Sequence, residues 1–275
     1  MSRLQVLVAT MNQSDHSIAE KMNIRCDAVI ANQADREEIS SVDGKYGRVK
    51  MITTSTRGVG LNRNIALMAA DSEYILFADD DVVYNDGMPE AVISAFNENP
   101  DADMLIFSMD ILKNGQITER RYLKKKRLHV RNSMRFGTYT IAVRRDAITK
   151  NNITFHQDFG GGCKFSSGED SLFIKACFDS GLKVYSHDYV LGTCCKDSST
   201  WFVGCDEKYF YDKGVLMGKL FPYVSWVMTM YFAIRFKRET KLSVFGRIRY
   251  MYSGLRNSKK MCSYSERYEK ITDRK

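Results

Sequence analysis

Short apolar runs closed by polar clusters recur through the first hundred residues. Residues 4–9, 28–31, 49–53, 74–78 and 102–108 each read as a buried strand. Helical stretches lie between them. Residues 18–22 form a short one, and residues 89–97 another. A third opens near Arg57, Gly58, Val59 and Gly60 and runs to about Ala70. Its apolar Leu61, Ile65, Met68 and Ala69 fall on one stripe, and Gly60, Arg63 and Asn64 share another face. Strands alternating with helices predict an α/β fold with a mostly parallel sheet flanked by helices on both faces. Ligands in such sheets bind beyond the carboxyl ends of the strands. Thr10, Asn32 and the triplet Asp79, Asp80, Asp81 all stand at such ends, so one crevice is expected to gather them.

The second half is less regular. Residues 139–143 read as a strand, and the basic cluster 124–127 as a solvated face. Phe159, Gly160, Gly161 and Gly162 make a glycine-rich loop, which implies either flexibility or close backbone approach. Ser167, Gly168, Glu169 and Asp170 open a helix that Gly181 closes. Ser167 and Asp170 have capping-box spacing, serine at the N-cap and acid three residues on. A carboxylate fixed there is also placed to accept a proton. The apolar run 220–234 would span about 22 Å as a helix, against about 30 Å for a hydrocarbon core. It suits an interfacial helix, with Trp226 and Tyr231 at headgroup level, or an ordinary buried one.

Charge sharpens that picture. Residues 235–275 carry 13 lysines and arginines against 4 acids, a net +9, whereas the other 234 residues carry 28 against 29. A near-neutral body argues against a nucleic-acid partner. A basic tail suits an anionic membrane surface. The seven cysteines are scattered without a CxxC, which points to reduced thiols and a cytoplasmic setting. The apolar stretch at the N-terminus is too short for a signal peptide and reads as the first strand.

The acidic triplet carries the most chemistry. Adjacent carboxylates at the end of a buried strand repel one another and resist desolvation. A solvated turn would relieve that cost, and so would a bound Mg2+ or Mn2+. On a strand-like backbone Asp79 and Asp81 point one way and Asp80 the other. The glycines near Gly58 form no GxGxxG after a strand, so no dinucleotide fingerprint is present.

Three motifs in order then resemble a known family: Arg57-Gly58-Val59-Gly60 with Arg63-Asn64, the strand leading into Asp79-Asp80-Asp81, and Phe159-Gly160-Gly161-Gly162 leading to Ser167-Gly168-Glu169-Asp170. Over residues 4–220 the chain resembles the family 2 glycosyltransferases of the GT-A fold, particularly bacterial enzymes of capsular and other surface polysaccharides. The resemblance implies an inverting transfer from a nucleotide-diphosphate sugar, a UDP-sugar, to a saccharide hydroxyl, with Mn2+ or Mg2+. By that resemblance Asp81 would ligate the metal, and Asp79 would contact ribose or metal-bound water. Thr10, Asn32, Arg63, Asn64 and Asp80 would fall on the donor side. Asp170 would be the catalytic base, ionised at neutral pH, with Glu169 orienting the acceptor or supporting the base. Phe159 and Gly160 to Gly162 would form an acceptor loop able to close over the substrates. Relatives often supply a late histidine to the metal; residues 192–201 contain none, leaving His187, Cys195 or water as candidates.

The expected organisation is a GT-A domain over 1–218, with a nucleotide-sugar half to residue 110 and an acceptor half after it, and a hydrophobic, basic extension over 219–275. That tail favours a lipid-linked acceptor and a peripheral site on the inner membrane face. Two rivals remain. A sugar nucleotidyltransferase would need a basic phosphate loop near the N-terminus, and residues 10–15 hold no lysine or arginine. A non-enzymatic membrane-binding protein leaves the acids and glycine loop unexplained.

Overall fold

The computed structural model describes residues 3–121, 123–130, 135–195, 204–236, 240–262 and 264. Its strands are β1 (Leu4–Met11), β2 (Asp27–Gln33), β3 (Glu38–Asp43), β4 (Arg48–Thr54), β5 (Tyr74–Asp79), β6 (Val82–Tyr84), β7 (Met104–Lys113), β8 (Gln116–Arg121), β9 (Lys126–Arg127), β10 (Ile141–Arg144) and β11 (Val184–Cys195). Its helices are α1 (Ile18–Lys21), α2 (Val59–Met68), α3 (Met88–Glu98), α4 (Arg145–Lys150), α5 (Glu169–Asp179), α6 (Glu207–Leu220), α7 (Ser225–Arg235) and α8 (Val244–Asn257).

All strands join one sheet in the order β3-β4-β2-β1-β5-β10-β7-β11-β6, with β8 on β7 and β9 on β11. The pairs β2–β4, β1–β2, β1–β5 and β7–β11 are parallel. β10 inserts antiparallel between β5 and β7, so the sheet is mixed. The alternating apolar residues of the central strands feed two cores. Leu4, Val6, Val8, Leu76 and Ala78 pack with Ile18 of α1 and Val92 and Phe96 of α3. Leu7, Ile75 and Phe77 pack on the other face with Ala66 of α2, Ile148 of α4 and Phe173 of α5. Period-two alternation with both faces apolar is what a helix-covered sheet requires.

Three local readings change. β3, β8, β9 and the long β11 were not foreseen. Exposed β3 has no apolar run to signal it, with Ile39 71% exposed, and it is held by pairing with β4. In α2 the polar side is the buried one. Asn62, Arg63 and Asn64 are inside, while Met68 of the apolar stripe is 86% exposed. The capping box is also absent. α5 starts at Glu169 after Gly168 at φ 123°, and no side chain caps it. Ser167 instead accepts a hydrogen bond from Lys213 Nζ at 3.0 Å.

A third cluster binds the C-terminal helices to the glycine loop. Phe159 and Phe165 share it with Phe210, Tyr211, Val215, Leu216, Ala233 and Met251. Residue 218 therefore falls inside α6, and the cluster runs across it. α6 and α8 cross closely enough that a Cβ on Gly214 would stand 1.9 Å from the Met251 carbonyl oxygen. Among the described residues no helix is long and apolar enough to cross a membrane, and no disulfide forms.

Candidate active site

The carboxyl ends of β1, β2, β4 and β5 open on one side of the sheet, and α2 is bolted across them. Asn62 Nδ2 donates to the carbonyls of Thr10 (3.1 Å) and Ala31 (2.9 Å). Gln33 Nε2 donates to the Gly58 carbonyl at 3.2 Å. Gly58 and Gly60 let the start of α2 sit against residues 156–163, because a Cβ on Gly60 would lie 2.4 Å from the His156 carbonyl oxygen. The result places Arg63 at the floor of a crevice.

Arg63 organises the site. Its Nη2 donates to Asp79 Oδ1 at 2.6 Å. Its Nη1 donates to Glu169 Oε1 at 3.1 Å and Asp170 Oδ1 at 3.2 Å. The guanidinium carbon also lies 5.5 Å from the centre of the Phe155 ring, within cation–π range. Phe155 is itself stacked on Phe173 at 4.2 Å and edge-on to Phe77. Burial works against the Arg63 charge, but Asp79, Asp170 and Glu169 outweigh it and raise its pKa. A planar fork that serves three carboxylates is a role lysine cannot fill.

Asp170 differs from the sequence expectation. Burial and the neighbouring Glu169 carboxylate push it up to about 7, against the opposing pull of Arg63 and the Thr138 hydroxyl. Thr138 donates a short hydrogen bond to its Oδ1. The Asp170 side chain keeps 29% of its surface open. Such a group sits at the midpoint between proton acceptor and donor at neutral pH. Glu169 is more enclosed, with its second oxygen accepting the Gly168 N–H at 3.0 Å.

The triplet separates. β5 ends at Asp79, and Asp80 and Asp81 form a turn before β6. Strand alternation therefore stops applying after Asp79. Asp79 faces Arg63. Asp80 is exposed and accepts the Thr10 hydroxyl at 2.6 Å. Asp81 lies against β11, where the Cys194 thiol is 3.6 Å from its Oδ2 and the Cys195 N–H donates to its carbonyl at 2.8 Å. Among the described residues no group of three His, Cys, Asp or Glu side chains is arranged to hold a metal. The hard oxygens of one or two carboxylates at an open strand end nonetheless fit Mg2+ or Mn2+ when phosphates and water complete the shell. His187 does not belong here. It is buried against Phe107, near Glu98 and Asp188, seven residues upstream of Cys194 on β11. Residues 196–201 of the histidine-free stretch 192–201 lie outside the described residues.

Other expected site residues turn out to build walls. Asn32 is fully buried. Its Oδ1 accepts the Gln13 N–H at 2.9 Å, and its Nδ2 donates to the Gln13 carbonyl and to Thr53 Oγ1. It shapes the loop after β1 rather than offering its amide to the crevice. Asn64 clamps the Phe155 backbone in both directions, at 2.9 and 2.8 Å. Phe159 is fully buried and packs on Phe165, so it presents nothing to an acceptor.

The glycine loop is pinned rather than free. Gly160 N–H donates to the Phe165 carbonyl, and the Gly161 carbonyl accepts the Val59 N–H at 3.0 Å. Gly160 has φ 108°, and a Cβ there would stand 2.4 Å from Val59 Cγ1 and 2.8 Å from Glu169 Cδ. Close approach, not closure, explains the glycine. Sequence reading missed Asn62, Thr138 and Lys213. The Lys213 ammonium is weakened by burial, with Glu169, Asp212 and Asp170 pulling the other way. No local motif marks these residues, which reach the site from separate elements.

Comparisons with known proteins agree with this fold. The chain is 25% identical over 196 residues to poly(ribitol-phosphate) beta-N-acetylglucosaminyltransferase TarS of Staphylococcus aureus strain Mu50, covering 65% of this chain and 33% of that protein. The chain thus spans about a third of the length of the curated relatives it matches. The crystal structure of S. aureus TarS 1–349 in complex with UDP-GlcNAc superposes with a TM-score of 0.59 at 17% identity, covering 93% of this chain and 72% of that one. The mannosyltransferase PcManGT of Pyrobaculum calidifontis, in complex with GDP-Man and Mn2+, gives 0.50 at 12% identity, over 99% and 79%. These likenesses show a shared GT-A fold. The family model described as Glycosyl transferase family 2 matches residues 11–157, which carry the crevice from the end of β1 to the clamp on Phe155. With that match over more than half its length, the chain belongs to glycosyl transferase family 2.

Proposed function

We propose that this chain transfers a sugar, with inversion, from a UDP-sugar to a hydroxyl of a saccharide acceptor in surface polysaccharide synthesis. One observation carries the reading. Asp79 at the donor-side strand end and Asp170 on α5 meet across a single buried guanidinium, within a chain of this family. In this reading Asp170 takes the proton from the acceptor hydroxyl as that oxygen attacks the anomeric carbon from the face opposite the leaving diphosphate. General-base help of this kind is typically worth about a hundred- to ten-thousandfold. Thr138 and Arg63 hold Asp170, and Arg63 keeps it and Glu169 from repelling one another. Thr10 and Asp80 form the donor edge, with Asn32 and Asn64 shaping it from behind.

Asp81, with Asp79, would hold Mn2+ or Mg2+, which supplies charge neutralisation at the departing diphosphate. The UDP-GlcNAc in the TarS complex supports a uridine donor, and the Mn2+ in the mannosyltransferase complex supports a metal. The poly(ribitol-phosphate) activity in the TarS name supports a surface-polymer setting. A lipid-linked acceptor fits the basic tail, with the chain peripheral on the inner membrane face and 219–275 as the associating extension.

A panel of UDP-sugars, incubated with the protein and Mn2+ or with a chelator, tests the proposal. Metal-dependent release of UDP supports it. Formation of a nucleotide sugar from a sugar phosphate and a nucleoside triphosphate would instead mark a nucleotidyltransferase.

A further inference from the structure

Among the described residues the C-terminal bundle leaves one face uncovered. On α7, Thr229 and Ala233 are fully buried, whereas Trp226, Val227, Met230, Tyr231 and Ile234 are 39–63% exposed. Their spacing makes a continuous apolar stripe along one side of the helix. It is extended by Tyr223, 94% exposed, just before α7, and by Phe245, 84% exposed, in the first turn of α8. Apolar stripes of this size on a soluble surface mark an interaction site. Exposed cations flank it at Arg235, Lys241 and Arg249.

The charge on this side of the bundle matches. Arg249 follows Phe245 by one helical turn and is exposed, and the Arg235 guanidinium carbon lies 5.9 Å from the centre of the Tyr231 ring of the stripe. The buried side of α8, with Arg247, Met251 and Gly254, is the opposite one and packs toward α6. The stripe calls for an apolar medium, the aromatic tips for a polar boundary, and the arginines for anions. A second protein copy supplies the first of these. A phospholipid surface supplies all three.

We infer that the outer face of α7, with the first turn of α8, docks on an anionic phospholipid surface, and that the exposed Arg235 and Arg249 reach lipid phosphates there. Long cationic side chains reach the headgroup layer in this way while their stems stay in apolar surroundings. This deepens the reading of a lipid-linked acceptor, since it brings the crevice to the membrane that holds such a substrate. The binding itself does not depend on that reading.

The experiment is co-flotation of the full chain with vesicles of phosphatidylcholine alone and of phosphatidylcholine mixed with phosphatidylglycerol. The wild type is expected to favour the anionic vesicles, increasingly so at low salt. A Trp226→Ser/Phe245→Ser double variant should lose more than about tenfold in binding. An Arg235→Gln/Arg249→Gln double variant should lose about fivefold, on anionic vesicles only, while its thermal midpoint in solution is unchanged. Wild-type protein that stays off anionic vesicles overturns the proposal, as does unchanged anionic binding by the Arg235→Gln/Arg249→Gln variant. A wild-type dimer in sedimentation that the double variant dissociates, with no vesicle binding, assigns the face to a second copy. Metal-dependent UDP release in vesicle-free solution is expected to be unchanged in all variants. Its absence from the wild type would count against the transferase reading and leave the vesicle result standing.

Discussion

Arg63 Nη2 stands 2.6 Å from Asp79 Oδ1, deep under the end of β5. The same guanidinium reaches Glu169 and Asp170 on α5. Acids at the end of β5 and at the start of α5 are thereby tied through one buried cation. Removing it leaves three carboxylates facing one another. Arg63→Met is expected to cost about 3–5 kcal/mol, as for breaking a buried ion pair, and to abolish transfer. Arg63→Lys should recover only part of the stability, because one ammonium cannot fork to three acids. Urea denaturation of both variants measures this.

Asp170→Asn is expected to lower transfer by at least about a hundredfold while calorimetry shows UDP-sugar binding with Mn2+ largely intact. Lost donor binding in that variant would put Asp170 in another role. Since a base must be deprotonated, the wild-type rate should climb with pH through about 7, where burial and Glu169 place Asp170.

The same shift has a stability consequence of definite sign. In the unfolded chain this aspartate titrates near ~3.9, well below its value of about 7 in the fold. Between those values the folded state binds more protons, so this group makes stability fall as pH rises. Asp170→Asn removes that dependence. Its thermal midpoint relative to wild type should be more favourable at pH 8 than at pH 4. A constant difference across that range would contradict the raised pKa.

Gly160→Ala introduces a Cβ where Val59 and Glu169 already stand, on a backbone at φ 108°. A loss of about 1–3 kcal/mol is expected from the strained conformation alone. Gly181 also has positive φ, at 78°, but a Cβ there meets nothing within 4 Å. Gly181→Ala should therefore be the milder variant in thermal melts.

Asp80→Ser and Asp81→Ala separate the members of the triplet. Asp80 is exposed and touches Thr10, and serine can still accept that hydroxyl. Its variant is expected to retain most Mn2+-dependent donor binding, and Asp81→Ala to lose it. Manganese titrations followed by donor binding distinguish them. Equal losses would place the metal between the two residues.

The alternating apolar runs determined much of this molecule by themselves. Leu4 to Val8 and Ile75 to Ala78 can satisfy period-two apolarity only in a sheet covered on both sides, and the residues that end such strands meet in one crevice. Thr10 and Asp79 were legible for that reason, and Asp170 through the resemblance of the motif around it. What a polar side chain does once there was not legible. Asn32 and Asn64 look like ligand contacts in sequence, yet both spend their amides on backbone, because buried polar groups must find partners and backbone is nearest. The pairing of β11 with β7, the approach of α6 to Ser167 and the convergence on Arg63 all join residues distant in the chain. No local pattern encodes such distances. Only tertiary packing turned an aspartate of ordinary acidity into one poised near neutrality, since desolvation and neighbouring charge exist only once the chain is folded.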